Sequence, residues 1–374
     1  MKSIFFNLFK KIIFRFFILC LFMLGYSSGI LAYEHPGGMH PKSQIEFVKK
    51  QIKLKNEPYF SAYHQLLVKA DSSLTIKNHA LTDFSVPGYY QKPQEHRKNS
   101  LTIQTDGFAA YSCALAWQLT GEKKYAKKAL YFLNAWSSIN IKYSDNDGPL
   151  VMAYSGTSML IAAELMVPCK KWKSTDKVRF KSWVKKIFCK AADQIRHKKN
   201  NWGDWGRFGS ILSAYFLDDE GNLRENIQLL KSDMFERISP DGHLTEEVKR
   251  EGNGIWYSYF SLAPITAACW VAYNATGENL FLLQKDGSSI KAALDYLLYY
   301  NQHPSEWKWF KNPVTGSINS SQGFWPVNLL EAMKGIYLDN SYDAYVSPFR
   351  PIINTKHHYA WTFPTLMPLR IGNY

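Results

Sequence analysis

The chain has 374 residues, of which 46% are hydrophobic and 16% aromatic, and it carries a formal charge of +14. The length suffices for one large domain or two modest ones, and the apolar share for a real core. No Lys/Arg block is dense enough to favour nucleic acid, and no CxxC or Cys/His spacing marks a metal site.

The first 32 residues read MKSIFFNLFKKIIFRFFILCLFMLGYSSGILA. Lys2, Lys10, Lys11 and Arg15 precede an apolar run that ends in small residues, the pattern of an export signal cut after Ala32; a retained membrane anchor is the alternative. Cys20 follows FIL rather than a small residue, so no lipid anchor is expected on it. Removing those four charges leaves +10 in the remainder, which suits a polyanionic partner, and for an exported protein an acidic polysaccharide fits better than nucleic acid. The expected location is periplasmic or secreted. Cys113, Cys169, Cys189 and Cys269 lie in apolar, helix-like surroundings where cysteine serves as a small hydrophobe. Export also permits a Cys169–Cys189 disulfide, which sequence alone leaves open.

From residue 33 onward helical spacing dominates. Ala109, Ala110, Cys113, Ala114, Ala116 and Trp117 share a face, and Gly121 ends the run. A second run places Ala126, Ala129, Leu130, Leu133 and Trp136 on one face, so a short link makes the two helices antiparallel neighbours. Similar runs follow at about 157–168, 176–196, 206–217, 223–236, 258–276, 286–300 and 323–337. Strand-like alternation is scarce. The pattern predicts an all-α chain, an α/α toroid of antiparallel hairpins in a single domain over 33–374, with six or seven pairs. A helical solenoid is the alternative, but no strict repeat period is visible.

Three segments break that rhythm: 33–44, 78–100 and 238–257. Long loops inside a helical domain are commonly functional. The third holds His243, Glu246, Glu247, Arg250 and Tyr257. Arg250 and Tyr257 would share a face in a continuous helix, but Gly252 and Gly254 argue against one. The plainer reading is a charged surface loop with Tyr257 opening a buried helix. Between two helical runs stands NNWGDWG, residues 200–206, richer than a simple turn requires. The 12 Trp and 23 Tyr either pack helices or line a concave site for sugar faces.

HPGGMH, VPGYY, DGFAAYSCALAWQLTGEKKYAKKAL, NNWGDWG and REGNGIWYSYFSLAPI, in that order from residue 33 to about 330, resemble the alginate lyase family of exported α/α-toroid polysaccharide lyases. The resemblance implies β-elimination on a uronate polymer, most simply alginate; that chemistry requires no metal or cofactor, and a monomer with no membrane contact beyond the signal is expected. The C5 proton beside a carboxylate is weakly acidic. Its removal needs a base, donors for the growing carboxylate charge, and an acid for the leaving glycosidic oxygen. By the resemblance Asn201 is the carboxylate-binding amide, Arg250 the arginine seven residues before the catalytic tyrosine, and Tyr257 that tyrosine. Arg250 is expected to help lower the tyrosine pKa from about 10.

One position departs from the pattern. Better-known relatives carry histidine directly after the second asparagine, where this chain has Trp202. His243 is the candidate replacement because it shares the loop of Arg250 and Tyr257. His96 and His35 are weaker candidates, and their segments can instead be ordered loops over a cleft mouth. Trp202 and Trp205 either stack on sugar or wedge helices apart. Tyr89, Tyr90, Tyr154 and Tyr259 are further substrate-binding candidates, while Asp204 and Glu164 fit supporting or packing roles. The departure points to a divergent branch and keeps glucuronan or another β-linked uronan open as substrate. Glycoside hydrolysis would need a carboxylate pair, for which Asp106, Asp204, Asp241 and Glu246 are available but unpaired by any motif. A non-catalytic glycan-binding protein is the third class.

Overall fold

Thirteen helices run through the described part of the chain, residues 32–317, 320 and 323–374 of a computed structural model. The expected export signal lies outside those residues except for Ala32. Tyr33–Tyr374 form one compact unit. In order the helices are α1 Lys42–Lys53, α2 Tyr59–Ser73, α3 Pro93–Thr120, α4 Lys123–Ile139, α5 Gly148–Met166, α6 Ser174–Trp183, α7 Cys189–Ile195, α8 Asn201–Phe216, α9 Glu220–Arg237, α10 Gly254–Thr276, α11 Ile290–Gln302, α12 Val327–Tyr337 and α13 Asn340–Val346. A π-helical turn, Val184–Phe188, joins α6 to α7.

The helices pair as six hairpins: α1 with α2, α3 with α4, α5 with α6 and α7, α8 with α9, α10 with α11, and α12 with α13. The first helix of each later hairpin is the more buried, and α3, α5, α8 and α10 pack side by side as an inner ring. Every residue of α5 is buried. Length and hydropathy would let α5 cross a membrane, and its all-round burial marks it instead as an inner-ring helix. Outer helices such as α4 bury one stripe, here Ala126, Ala129, Leu130, Leu133 and Trp136, as the spacing predicts. Gly121 closes α3 in the left-handed conformation (φ 74°), its N–H on the Trp117 carbonyl at 2.8 Å.

Because short links lead from inner to outer helices, the inner helices run parallel and present two distinct faces. Their amino ends gather on one face, where β1 (Asp83–Ser85) and β2 (Lys142–Ser144), the strands preceding α3 and α5, pair in parallel. On the opposite face the segment 33–40 seals the carboxyl ends of α5, α8 and α10. There Glu164 Oε1 accepts the N–H groups of Gly37 (2.8 Å) and Gly38 (2.7 Å), and His35 lies between Glu164 and Asp218. Asn274 donates to the Gly38 carbonyl and Trp270 to that of Met39. His35 is therefore a staple at the far face and not a loop residue over a cleft. A short hairpin, β3 Gln284–Lys285 with β4 Ser288–Ser289, links α10 to α11.

The carboxyl-terminal segment threads back into the core, where Tyr359 donates to the Gln104 carbonyl of α3 and Trp361 to Thr266 of α10. Asn328 of α12 donates to the Trp361 carbonyl. All four described cysteines are buried and free, so the Cys169–Cys189 bridge is not formed.

Candidate active site at the amino ends of the inner helices

NNWGDWG is not a turn but the start of α8, capped by Asn200, whose side chain accepts the Trp202 N–H at 3.2 Å. Its glycines sit at a close crossing with the preceding chain. A Cβ on Gly206 would come within 2.6 Å of the Arg196 backbone, and one on Gly203 within 1.8 Å of the Lys198 carbonyl oxygen. Asp204 is fully buried between Arg207 and Arg237. Burial alone would raise its pKa, but the two guanidinium groups override this and hold it below the carboxylate range.

Asn201 is 2% exposed and locked to Glu247, its backbone N–H donating to Oε1 at 2.6 Å and its amide to Oε2 at 2.9 Å. The amide oxygen of Asn201 is buried without a partner. Ser261 adds a third donor to Glu247, at 3.2 Å. Even so, burial pushes the Glu247 carboxyl up to about 7.

Arg250 and Tyr257 meet although no continuous helix joins them. Turns link Leu244 to Glu247 and Glu247 to Arg250, Glu251 adopts a left-handed backbone (φ 51°), and a 3-10 turn leads into α10 at Gly254. This break folds the Arg250 guanidinium over the Tyr257 ring, 4.4 Å from its centroid. The segment before α3 supplies the third member: the hydroxyl of Tyr90 lies 2.9 Å from that of Tyr257 and accepts from Arg250 at 3.0 Å. Burial pushes the Tyr257 phenol up to about 12, the Tyr90 hydrogen bond adds to the rise, and Arg250 pulls against both. The expected lowering by Arg250 is present but outweighed, so the unliganded side chain is a neutral phenol.

Around this trio, Tyr89 N–H donates to Asp147, the residue capping α5, at 2.9 Å. His96 gives its Nδ1 proton to the Pro87 carbonyl at 2.9 Å, with Asp147 also at 3.3 Å, which fixes the Tyr89–Tyr90 segment to α3. Trp202 is half-buried, with the Lys198 ammonium 3.7 Å from its ring centroid.

Four candidate residues stand elsewhere than expected. Trp205, Tyr259 and Tyr154 are 0%, 0% and 3% exposed and have no face open to a sugar. They pack with Trp256, Phe260, Trp325 and His358 in one aromatic core beneath the site, which absorbs much of the chain's aromatic excess. His243 is bound by Ser239 and Asp241 and packs on Tyr296 and Trp309, so its partners do not include Asn201, Arg250 or Tyr257. The carboxylates considered for hydrolysis are engaged as well. Asp106 accepts from His79 and Trp136, Asp241 from Lys308, and Glu246 from Lys249. Sequence reasoning named Glu247 in the third loop without giving it a role, and it passed over His357, for which periodicity offered no signal. Among the described residues no cluster of metal-ligating side chains occurs.

A ring of antiparallel helix hairpins with its polar cluster at the inner amino ends is an α/α toroid, and the match to a lyase family makes it that of a polysaccharide lyase. A family model described as alginate lyase matches residues 50–307, and the chain belongs to that family. Solved structures agree on the fold. An alginate lyase from Bacteroides ovatus superposes with a TM-score of 0.70 at 20% identity, covering 89% of this chain and 99% of that one. Alginate lyase A1-III from Sphingomonas species A1 gives 0.70 at 13% identity, covering 90% and 99%. A tyrosine-to-phenylalanine variant of alginate lyase A1-III complexed with a tetrasaccharide gives 0.71 at 14%, covering 88% and 94%. No curated protein matches the chain significantly.

Proposed function

We propose that this polysaccharide lyase is exported and cuts a polyuronate, alginate first among the choices, by β-elimination with Tyr257 as acid and base. The observation that carries this reading is the meeting of Arg250, Tyr257 and Tyr90 where the inner helices begin. Helix amino ends favour an anion, and Arg250 adds a full positive charge, so a uronate carboxylate is the natural occupant.

In the reaction Tyr257, as phenolate, takes the C5 proton. The C5–H electron pair becomes the C4=C5 double bond and the C4–O bond breaks. The departing oxygen then takes the proton from Tyr257. The Tyr90 hydroxyl, at hydrogen-bond distance and on an exposed side chain, offers the route by which the resting phenol passes its first proton to solvent. Charge gathering on the carboxylate is met by Arg250 and by the Asn201 amide, held in place by Glu247. No step calls on a metal or cofactor.

Trp202, in place of histidine, keeps glucuronan or another β-linked uronan open as the alternative substrate. The test is absorbance of the unsaturated uronate on poly-mannuronate, poly-guluronate, glucuronan, hyaluronan and pectate. A rise on one or more is expected, and a flat trace on all five removes the reading.

A further inference from the structure

His357 stands in the carboxyl-terminal segment, beyond the residues matched by the family model. Its backbone is left-handed (φ 68°), a conformation few side chains adopt without cost. The ring stacks on Tyr154 of α5, centroids 5.0 Å apart and 6° from parallel. It meets Trp256, the residue before Tyr257, at 5.2 Å, and Phe260, one turn on, at 5.1 Å. Phe260 in turn contacts the Tyr257 ring at 6.5 Å. The imidazole thus lies at the amino ends of α5 and α10, with Phe260 between it and the Tyr257 ring. Its Nδ1 is buried without a partner, whereas Nε2 is neither buried nor hydrogen-bonded to the described chain. The strained backbone and the stack therefore present one ring nitrogen to accessible space. Its neighbour His358 differs, both of its nitrogens being buried.

We infer that His357 supplies the histidine that the stretch beginning at Asn201 lacks, with Nε2–H donating a hydrogen bond to the uronate held against Tyr257. Aromatic walls hold the ring neutral: burial, reinforced by His96, lowers its pKa to about 4. A neutral imidazole of that weak basicity is poorly suited to take a C5 proton but well suited to donate from Nε2 in a dry site. The inference rests on the lyase reading above and adds a donor from a segment outside the family match.

The test uses His357→Asn, because asparagine tolerates the left-handed backbone but cannot reach as far. Circular dichroism and the melting temperature report folding. On a uronan that the wild type cleaves, H357N is expected to lose about 100-fold in turnover, the scale of one removed charge-stabilising donor. In the inactive Tyr257→Phe protein, a tetrasaccharide of the same uronan is expected to shift the His357 Nε2 resonance, which a purely structural histidine would not show. Folded H357N with wild-type turnover, or an Nε2 resonance indifferent to the tetrasaccharide, overturns the role of His357 alone. A wild type inert on every uronan instead overturns the lyase reading beneath it.

Discussion

Glu247 accepts both nitrogens of Asn201, the backbone N–H at 2.6 Å and the side-chain amide at 2.9 Å. Burial raises the Glu247 carboxyl to about 7, although the Asn201 amide opposes the rise. A carboxyl that holds its proton more tightly folded than unfolded contributes stability that is fully present below about pH 4.5 and lost as pH rises through about 7. Glu247→Gln should therefore flatten the stability profile across that window, by at most about 3 kcal/mol. Denaturant unfolding at pH 4.5 and pH 7.5 checks it, and parallel wild-type and variant profiles would show that Glu247 does not titrate there. The variant should also turn over more slowly, since a glutamine cannot accept from both Asn201 nitrogens at once.

Tyr257→Phe removes the only atom of that side chain able to carry a proton. Turnover should fall by at least about 1,000-fold while the polymer is still bound. Absorbance assays with binding measured alongside would decide it, and retained turnover would exclude Tyr257 as acid and base.

Tyr90→Phe deletes a hydrogen bond that raises the Tyr257 pKa. If Tyr257 works as a phenolate, activity climbs with pH through that pKa, and the variant's climb should begin at lower pH. The proton route through Tyr90 is lost at the same time, so the maximal rate should drop. The pH dependence of kcat separates the two effects; a limb that stays in place would detach Tyr90 from Tyr257 titration.

Trp205 and Trp202 should behave oppositely when cut to alanine. Trp205 is fully enclosed, so Trp205→Ala should cost about 3–5 kcal/mol of stability. Half-buried Trp202 should cost less than that and show its effect in KM. Melting curves and steady-state kinetics on both variants test this; a stable Trp205→Ala protein with raised KM would restore Trp205 as a sugar platform.

His35 is desolvated, which disfavours its charge, yet Glu164 and Asp218 outweigh this and raise its pKa. Its ion-pair stabilisation is full below the ordinary histidine value near 6.5 and is lost as pH rises through the raised value. His35→Gln should be less stable than the wild type at pH 6, with the gap narrowing at pH 9. A gap independent of pH would mean that His35 acts by packing alone.

The sequence made some parts of this architecture plain for physical reasons. The α3–α4 hairpin is legible because alanine and tryptophan recur at helical spacing and Gly121 takes the left-handed cap without the cost a Cβ would bring. The start of α8 was obscured because glycine usually signals a loop, whereas Gly203 and Gly206 are small to let helix and chain touch. The start of α5 was hidden by Pro149, which a first turn accepts. Arg250 and Tyr257 were found through motif resemblance. Their contact depends on the break at Glu251, which spacing does not encode. His357 was beyond reach because an irregular segment has no period, and its burial comes wholly from tertiary contacts.

The staple at the far face has a bearing on what an amino terminus at Tyr33 would do. The backbone nitrogen of Tyr33 lies 3.1 Å from an Asp218 carboxylate oxygen. In a longer chain that nitrogen is a neutral amide. In a chain that begins at Tyr33 it is an ammonium, and the same contact becomes a charge pair beside the His35 cluster. Proteolytic trimming at that bond would thus tighten the toroid by its own chemistry, and a protein started at Tyr33 should melt above one carrying even a few extra residues.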